Sequence, residues 1–358
     1  MNKLTTVGID LAKDVIAACV LDAQGAVVER RVLKREAFIR WAEQLSPCAV
    51  AMEACGSAHH WGRWFAARGH TARLMAAEFV VPFRKSGKND AADAEAVAVA
   101  ARQPTMRFVP IKTVEQQAML AWHSVREGWK EERTALINRV RGLLAEFGVV
   151  LGRSSDRFMT ALPRLTEDPR LPSPMQALLL EAREQLAALH ARLARCDAEI
   201  AAHARSNDSA KRARELLGIG PVTSSALAAT VPDAKVFKNG RQFAAFLGLT
   251  PRQHSSGGRT RLGRISLRGN VYLRTLLIQG ARSTLQSALR TEPSKANRLQ
   301  RWIIDLYARK GYHKTQVAIA NKHARMLWAM LAREERYDPT AWQRHPMNPV
   351  PLIGTTQP

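Results

Sequence analysis

Three apolar segments follow one another closely at the start of the chain, and this pattern limits the fold more than any other. They lie within residues 4–33, are rich in Val, Ile and Leu, and are separated only by short gaps at 12–14 and 22–25 that favour turns. Such strands in hairpins, followed by alternating helices and strands, predict an α/β domain with a mixed sheet over residues 1–110. The later segments of this domain are a helix at 36–45, a buried strand at 48–52, a helix at 57–68, a strand at 71–75 and a helix at 89–102.

The middle of the chain, residues 111–209, predicts long helices. Apolar residues recur at helical spacing over 112–147 and again over 174–205. The second stretch has the heptad pattern of a coiled coil, with a seam formed by Leu179, Ala182, Leu186, Leu189, Leu193, Cys196 and Ile200. This seam needs a partner helix, either in a second copy of the chain, which would give a dimer or tetramer, or at 112–147 of the same chain. Residues 151–175 contain four prolines and no clear periodicity, so an irregular insert is predicted.

The charge of the chain is strongly positive and unevenly distributed. Lys and Arg number 54 against 31 Asp and Glu, a formal net charge of +23. Such a chain attracts polyanions, with nucleic acid as the first candidate and an anionic membrane surface as the second. Residues 1–110 carry 15 basic and 11 acidic side chains, whereas residues 211–331 carry 22 and 4. The sequence therefore predicts a chemistry domain followed by a basic binding domain over 210–336, and then a flexible tail over 337–358.

Nothing in the sequence favours a membrane or secreted protein. No apolar run reaches the roughly 18 residues of a spanning helix, and Asp10 and Lys13 interrupt the segment where a signal peptide would have its core. The four cysteines are scattered without a CxxC pair, which argues against a disulfide framework or a structural zinc site. These features predict a cytoplasmic, nucleoid-associated protein.

Four acidic residues form the first candidate site. Asp10 ends the first predicted strand, Glu53 ends the fourth, and Asp90 and Asp93 lie three apart on one helix face. Carboxylates that converge in this way repel one another unless a hard cation neutralises them. Mg²⁺ (or Mn²⁺) takes oxygen ligands from a few carboxylates and keeps waters for a substrate phosphate. The pattern therefore predicts a metal site for phosphodiester chemistry.

The segment VGIDLAKD also suits a different function, the phosphate hairpin of actin-like kinases. Those kinases need a second phosphate loop far downstream, and the sequence shows none. It also lacks the GxxxxGK[ST] and GxGxxG motifs. The metal site is therefore the favoured interpretation.

A glycine-containing turn is the first candidate contact to nucleic acid in the basic domain. The segment LLGIGPVTSS, with Gly218 and Gly220, has the pattern of a helix–hairpin–helix. In that motif the glycines let the backbone approach a phosphate, and the next helix offers its free N–H groups. A plain tight turn between packed helices would give the same pattern.

A serine-rich loop is the second candidate. Ser255 and Ser256 precede two glycines, and the surrounding arginines are expected to bind phosphate; they are Arg252, Arg259, Arg261, Arg264, Arg268 and Arg274. Two interpretations of this segment are open. It is a flexible phosphate-binding loop, or one of its serines is a nucleophile on phosphorus and the arginines stabilise the negative charge that develops there. Asn270 is the predicted N-cap of the helix that follows.

The motifs VGIDLAKD, MEACGSAHHW and KNDAADAEAVA, in that order, resemble the RuvC-like N-terminal domain of DEDD insertion-sequence transposases, the "IS one-ten" family. The stretch from LLGIGPVTSS to SLRGNVYLRTLLIQGA is similar to the C-terminal serine transposase domain of that family. The resemblance covers residues 4–331. It implies an RNase H-like N-terminal fold, a coiled-coil bridge and a mainly helical C-terminal domain.

The resemblance also implies a mechanism. Members of the family recombine DNA under the direction of an element-encoded bridge RNA, as oligomers in which acids of one subunit and the serine of another form a composite site. By motif, Asp10, Glu53, Asp90 and Asp93 would bind the metal. Ser256, the serine directly before glycine, would form a covalent bond to DNA. Because Ser255 is also a serine, the choice between the two stays open.

Two other functions fit parts of the sequence. An RNase H-like, structure-specific nuclease would hydrolyse DNA, and a non-catalytic nucleic-acid-binding protein would keep the fold without the chemistry. The four intact acids argue against the second. The serine and arginine loop argues against simple hydrolysis, which uses water and no protein nucleophile. A transposase is therefore the expected function.

Overall fold

The computed structural model describes residues 5–84 and 89–340. The chain divides into two compact units, Met1–Gln117 and Ala118–Pro358. The part of the predicted tail from residue 341 onward lies outside the described residues. Among the helices that the structure describes, none has the length and apolar character needed to cross a membrane.

A six-stranded mixed sheet forms the first unit. Its strands are β1 (Thr6–Leu11), β2 (Val15–Leu21), β3 (Val27–Lys34), β4 (Ala49–Glu53), β5 (Thr71–Met75) and β6 (Phe108–Val109). They lie in the order β3–β2–β1–β4–β5–β6. The β1, β2 and β3 strands are antiparallel neighbours, β1, β4 and β5 are parallel, and β6 runs antiparallel to β5. The predicted α/β order with a mixed sheet is confirmed; among the strands that the structure describes in this unit, the short β6 was not predicted.

Helices cover both faces of this sheet because strand residues alternate between the two sides. On one face, α1 (Arg35–Glu43) and α2 (Ala58–Ala66) bury their aromatic side chains against Val7, Ile9 and other residues of the sheet. On the other face lies α4 (Asp90–Ala101), whose alanines pack against the opposite side of β2. A short helix, α3 (Ala77–Val80), and a 3₁₀ turn at Val81–Phe83 come before α4.

The second unit is helical apart from one short hairpin. Its helices are α5 (Val114–Ala145), α6 (Ser155–Leu165), α7 (Ser173–Ser206), α8 (Asp208–Ala213), α9 (Pro221–Thr230), α10 (Gly240–Phe246), α11 (Val271–Arg290), α12 (Arg298–Lys310) and α13 (Tyr312–Ala332). The hairpin consists of β7 (Pro251–Gln253) and β8 (Leu262–Ile265). One buried apolar cluster joins α9, α10, α11 and α13 through Leu227, Phe243, Leu277 and Leu327. The predicted helical C-terminal region is confirmed.

The heptad seam of α7 is buried within this chain. All seven seam residues are at most 6% exposed, and the N-terminal four pack with apolar residues of α5 and α6. Arg126 of α5 donates to Asp197 of α7 at 2.6 Å, and the guanidinium of Arg192 on α7 lies 5.8 Å from the ring centre of Trp129 on α5. These contacts run α5 and α7 antiparallel. Of the two predicted partners, the structure therefore favours the helix of the same chain, and this seam is not available to a second copy.

The prediction of an irregular insert over 151–175 is wrong, because α6 forms there. Ser154 caps the helix by accepting a hydrogen bond from the backbone N–H of Arg157. Phe158, Leu162 and Leu165 are buried on one face at helical spacing. Pro163 interrupts only the last turn of this helix, so the prolines obscured a short amphipathic pattern.

A buried polar cluster ties four helices of the second unit together. The Nε2 atom of His123 on α5 and the Nδ1 atom of His203 on α7 lie 2.9 and 2.8 Å from the Ser225 hydroxyl on α9. The Nδ1 atom of His123 lies 2.9 Å from the Tyr272 hydroxyl on α11. Burial, helped by the positive charge of Arg126, lowers the pKa of His123 to about 4. His123 is therefore neutral in the folded protein at neutral pH.

This cluster predicts a stability that falls in mild acid. Below pH about 6.5 the unfolded chain takes up a proton on His123 that the folded chain refuses until about pH 4. Between pH 7.5 and pH 5.0, this one group should lower the free energy of unfolding by about 2 kcal/mol. Urea unfolding at both pH values measures the loss. His123→Gln should show a smaller loss, and the exposed His313→Gln should match the parent chain; equal losses in all three would contradict the assignment.

Candidate active site

The acids of the first unit begin with two neighbouring strand ends. The β1 and β4 strands are parallel, and Ile9 pairs with Met52 in their register. Asp10 and Glu53 are the next residues on the two strands, so both lie at the same edge of the sheet. Parallel strands thus place the first two predicted acids side by side, as the sequence pattern suggested.

A close helix contact brings the other two acids to this edge. A Cβ atom on Gly8 would collide with the backbone of Ala94 and Ala98 on α4, so only glycine lets this helix lie so close to β1. Asn89 caps α4 by accepting a hydrogen bond from the N–H of Ala92 at 2.7 Å. Asp90 and Asp93 occupy the first turn of α4, where the helix dipole favours negative charge.

The four carboxylates interact electrostatically. The pKa of Asp10 is raised above its ordinary value by burial and then by the charges of Asp93, Asp90 and Glu53, while Arg84 opposes the shift. All three other predicted acids are therefore near enough to Asp10 to disfavour its ionised form. The structure brings the predicted set together in one strongly negative corner.

Arg84 occupies the middle of this corner and was not predicted from the sequence. Its Nη2 atom donates to Oε1 of Glu53 at 2.9 Å, and its Nε atom forms an ion pair with Oδ1 of Asp93 at 3.0 Å. The side chains of Glu53 and Asp93 are 16% and 13% exposed. The only signal in the sequence was a basic residue shortly before the KNDAADAE motif, and such residues are common on any surface.

The donor set fits a hard divalent cation by its chemistry, since all four side chains offer carboxylate oxygens. Within residues 5–84 and 89–340, however, no three Asp, Glu, His or Cys side chains stand close enough together to hold a metal ion. The predicted convergence on a single ion is therefore met only in part. The acids share one site, and Arg84 supplies positive charge there.

The predicted serine loop is the tip of the β7–β8 hairpin. Ser256 and Arg259 form a bridge across the tip, and the N–H of Arg259 donates to the carbonyl of Ser256 at 3.0 Å. Gly257 and Gly258 between them both have positive φ angles, 55° and 75°. A type I′ hairpin turn requires positive φ angles at both central residues, which explains the two glycines.

The two serines differ in what their hydroxyls do. The Ser255 hydroxyl accepts the backbone N–H of Arg261 at 3.2 Å and the side-chain amide of Gln253 at 2.9 Å. It therefore helps to hold the hairpin together. The Ser256 hydroxyl is exposed and has no hydrogen-bond partner in the part of the chain that the structure describes.

Five of the six predicted arginines are exposed along this hairpin and its flanks, namely Arg252, Arg259, Arg261, Arg264 and Arg268. Arg274 is the exception, and its predicted role in nucleic-acid binding is corrected. It is 6% exposed, and its Nη1 atom donates to the carbonyls of Leu247 and Arg268 at 3.1 and 3.3 Å. Its guanidinium holds the hairpin base against α11 and does not face solvent.

The glycine turn before α9 is also partly corrected. A Cβ atom on Gly218 would collide with the Thr284 hydroxyl and the Gly280 carbonyl, so Gly218 serves close packing of the turn on α11. The Thr284 hydroxyl donates to the carbonyl of Leu217 in the same contact at 3.1 Å. Gly220 is exposed directly before α9, and it alone of the two glycines is open to a phosphate.

The first unit is a mixed α/β unit with an acidic corner. The second is a basic helical unit that displays a serine flanked by arginines. Together these features are typical of an enzyme that acts on the DNA backbone. Comparison with known proteins agrees. A family model described as "Transposase", of the DEDD IS110 type, matches residues 7–148, and one described as "Transposase IS116/IS110/IS902 family" matches residues 210–297. The chain belongs to the IS110 family of insertion-sequence transposases, enzymes that bind DNA, cleave it and transfer its strands.

Individual relatives cover almost the whole chain. A Pseudomonas aeruginosa protein named "Probable family 20 transposase" is 48% identical, over 94% of this chain and 99% of its own length. The "Transposase for insertion sequence element IS1111A" of Coxiella burnetii is 40% identical, over 94% and 92%. The "Transposase for insertion sequence element IS1328" of Yersinia enterocolitica is 35% identical, over 92% and 97%.

The acidic corner predicts that Asp10→Asn stabilises the metal-free fold. Burial and then the neighbouring carboxylates raise the pKa of Asp10, so its charge opposes folding at pH 7, and an amide removes both the buried charge and the repulsion. In EDTA at pH 7 the Tm should rise by about 2–4 °C, measured by scanning calorimetry. Asp14→Asn, on the exposed turn that follows β1, should leave the Tm unchanged. A lower Tm for Asp10→Asn would mean that the carboxylate stabilises the fold.

Proposed function

We propose that this transposase cleaves and exchanges DNA strands with Mg²⁺ or Mn²⁺ at Asp10, Glu53, Asp90 and Asp93, through a covalent intermediate on Ser256, and that a bridge RNA selects the DNA. The observation that carries the proposal is the coupling of three other acids to Asp10 at one edge of the sheet. Four carboxylates in one corner oppose folding, and among residues 5–84 and 89–340 Arg84 is the one residue that forms an ion pair with any of them.

The sheet supports an RNase H-like assignment for the first unit. Three antiparallel strands are followed by parallel strands on the other side of β1, with the acids at the ends of β1 and β4 and on the helix that crosses β1. This is the arrangement that the family resemblance implies. When bound, the cation would draw charge from the phosphate and stabilise the departing oxygen.

The hairpin tip supports Ser256 as the nucleophile. Its hydroxyl is exposed at the hairpin turn, whereas the Ser255 hydroxyl is engaged within the hairpin. In the proposed step, the Ser256 oxygen bonds to phosphorus and loses its proton, while the bond from phosphorus to a deoxyribose oxygen breaks and that oxygen takes up a proton. The exposed Arg259, Arg261 and Arg264 are placed along the same hairpin to hold the negative charge of the phosphate.

The proposed enzyme acts as an oligomer, as the family resemblance implies, with acids and serine of different subunits in one composite site. The α7 seam does not provide the contact, because it is buried against α5 and α6 of the same chain. Subunits would associate through another surface.

Trapping of a protein–DNA adduct tests the chemistry. With donor and target DNA, the element's RNA and Mg²⁺, the parent chain should form an adduct that survives denaturation in SDS. Ser256→Ala should form none, because the nucleophile is gone. Ser255→Ala should keep part of the yield, because it loses only two hydrogen bonds of the hairpin. Asp10→Asn should lower the yield at least about a hundredfold, the scale of a lost charge-stabilising group.

Each outcome of the trapping experiment has one interpretation. Peptide mapping of the adduct to Ser255 would overturn the choice of serine. An adduct of normal yield with Asp10→Asn would overturn the metal site. Strand cleavage by Ser256→Ala without any adduct would favour the hydrolytic nuclease.

RNA guidance is supported by the charge of the second unit. Residues 211–331 carry 22 basic and 4 acidic side chains, and contacts of such residues to phosphates position a backbone without reading bases. In RNA-guided systems the protein holds the backbone while base pairing selects the sequence. The sequence shows no recognition-helix motif that would select a target by itself.

Binding of protein alone to DNA should therefore depend steeply on salt and little on sequence. Each neutralised phosphate contributes a slope of roughly −0.9 in log K against log salt for duplex DNA, so Arg261→Gln should make the slope shallower by about that amount if it contacts one phosphate. Fluorescence anisotropy at several salt concentrations measures the slope. Site-specific recombination should appear only when the element's RNA is added; accurate recombination by rigorously RNA-free protein would refute RNA guidance.

A further inference from the structure

Arg84 makes a two-sided contact inside the acidic corner. It follows the 3₁₀ turn at Val81–Phe83, and its guanidinium uses two different nitrogens on two different carboxylates. The Nη2 atom reaches Glu53 at the end of β4, and the Nε atom reaches Asp93 on α4. The Arg84 side chain thus links the end of β4 to α4, the helix that covers one face of the sheet.

The contact is partly withdrawn from water, which makes it stronger than a surface ion pair. The Arg84 side chain is 34% exposed, against 16% for Glu53 and 13% for Asp93. Charged hydrogen bonds in such surroundings are short and stabilising, and loss of one partner leaves the other charge uncompensated. Without Arg84, four carboxylates would share the corner with no positive charge that the structure shows acting on Asp10.

The same oxygens are those that a divalent cation needs. Oε1 of Glu53 accepts a hydrogen bond from Arg84, and Oδ1 of Asp93 forms an ion pair with the Nε atom of Arg84 at 3.0 Å. A cation that binds these oxygens would have to take the place of the guanidinium beside them. A cation that draws these carboxylates together must therefore compete with the guanidinium for them.

We propose that Arg84 is an internal counter-ion that holds Glu53 and Asp93 in the metal-free protein and is displaced from them when a divalent cation binds. The inference rests on the proposed function, because it takes these acids to be the metal ligands. Arg84 is a positioning residue in this role. It lowers the affinity of these acids for the cation and holds the end of β4 next to α4 while the cation is absent.

Metal titration of the full-length chain without nucleic acid tests the proposal. MnCl₂ binding is measured by isothermal calorimetry, and the Tm is measured in EDTA. Arg84→Gln should lower the Tm in EDTA and tighten Mn²⁺ binding about tenfold, which corresponds to about 1.4 kcal/mol, because a competing charge is gone. Arg84→Lys keeps the charge but not the two-sided geometry, and should lie between Arg84→Gln and the parent chain.

Arg30→Gln is the matched control. Arg30 donates to Glu95 at 2.6 Å, so this variant also removes an arginine from a carboxylate of α4, two residues beyond Asp93. It should leave Mn²⁺ affinity unchanged. If Arg84 had a purely structural role, Arg84→Gln and Arg30→Gln would behave alike. Each would have a lower Tm and unaltered or weaker Mn²⁺ binding, and that result would overturn the proposal.

Arginine-labelled protein gives a direct measurement that needs no destabilised variant. The Nε–H resonance of Arg84, assigned by its absence from Arg84→Lys, should shift on addition of MgCl₂, since the cation would replace the guanidinium beside the Asp93 oxygen. A resonance that stays unchanged while Mg²⁺ binds would overturn the proposal and leave the metal site intact. If neither the parent chain nor Arg84→Gln binds Mn²⁺ or Mg²⁺, the proposed metal site itself fails, and the counter-ion role fails with it.

Discussion

The contact between Gly8 and α4 is the constraint on which the candidate site depends. Helices usually pack on sheets through side chains, but here the backbone of α4 lies against a strand position that has no Cβ atom. The alanine side chains of α4 that face the sheet are small, so the helix and the sheet lie close together. This close approach carries the first turn of α4, with Asp90 and Asp93, to the edge where Asp10 and Glu53 emerge. A larger residue at position 8 would move two of the four acids away from the other two.

The close packing has an electrostatic cost that the fold offsets locally. Burial and three neighbouring acids act together on Asp10, and three devices limit the repulsion. Asp90 and Asp93 lie at a helix N-terminus, the Asn89 cap fixes that terminus, and Arg84 bridges Glu53 and Asp93. The stability of the metal-free unit therefore depends on the same few side chains that form the proposed metal site.

Periodicity in the sequence was enough to predict the mixed sheet, the long helices and the order of the acids, because local pattern and burial agree in those elements. Periodicity could not predict roles that depend on contacts between residues far apart in the sequence. Arg84 and Arg274 look alike in sequence, yet one bridges carboxylates and the other is buried on carbonyl oxygens. The glycine at 218 serves packing on α11 and not a phosphate. The heptads of α7 required a partner, but no heptad pattern states whether the partner belongs to the same chain.

The distribution of charge along the chain implies an order of events at the site. The basic residues of the second unit attract a DNA backbone at long range, whereas an acidic corner repels the same phosphates while its charge is uncompensated. Among residues 5–84 and 89–340, Arg84 is the one positive charge shown acting on Asp10, against the three neighbouring acids. A phosphodiester and these carboxylates repel each other without added positive charge, so the proposed cation would have to be in place before, or together with, the phosphate. In the role proposed for it, Arg84 would pair with the acids while no cation is bound and would leave their oxygens to the cation when it binds.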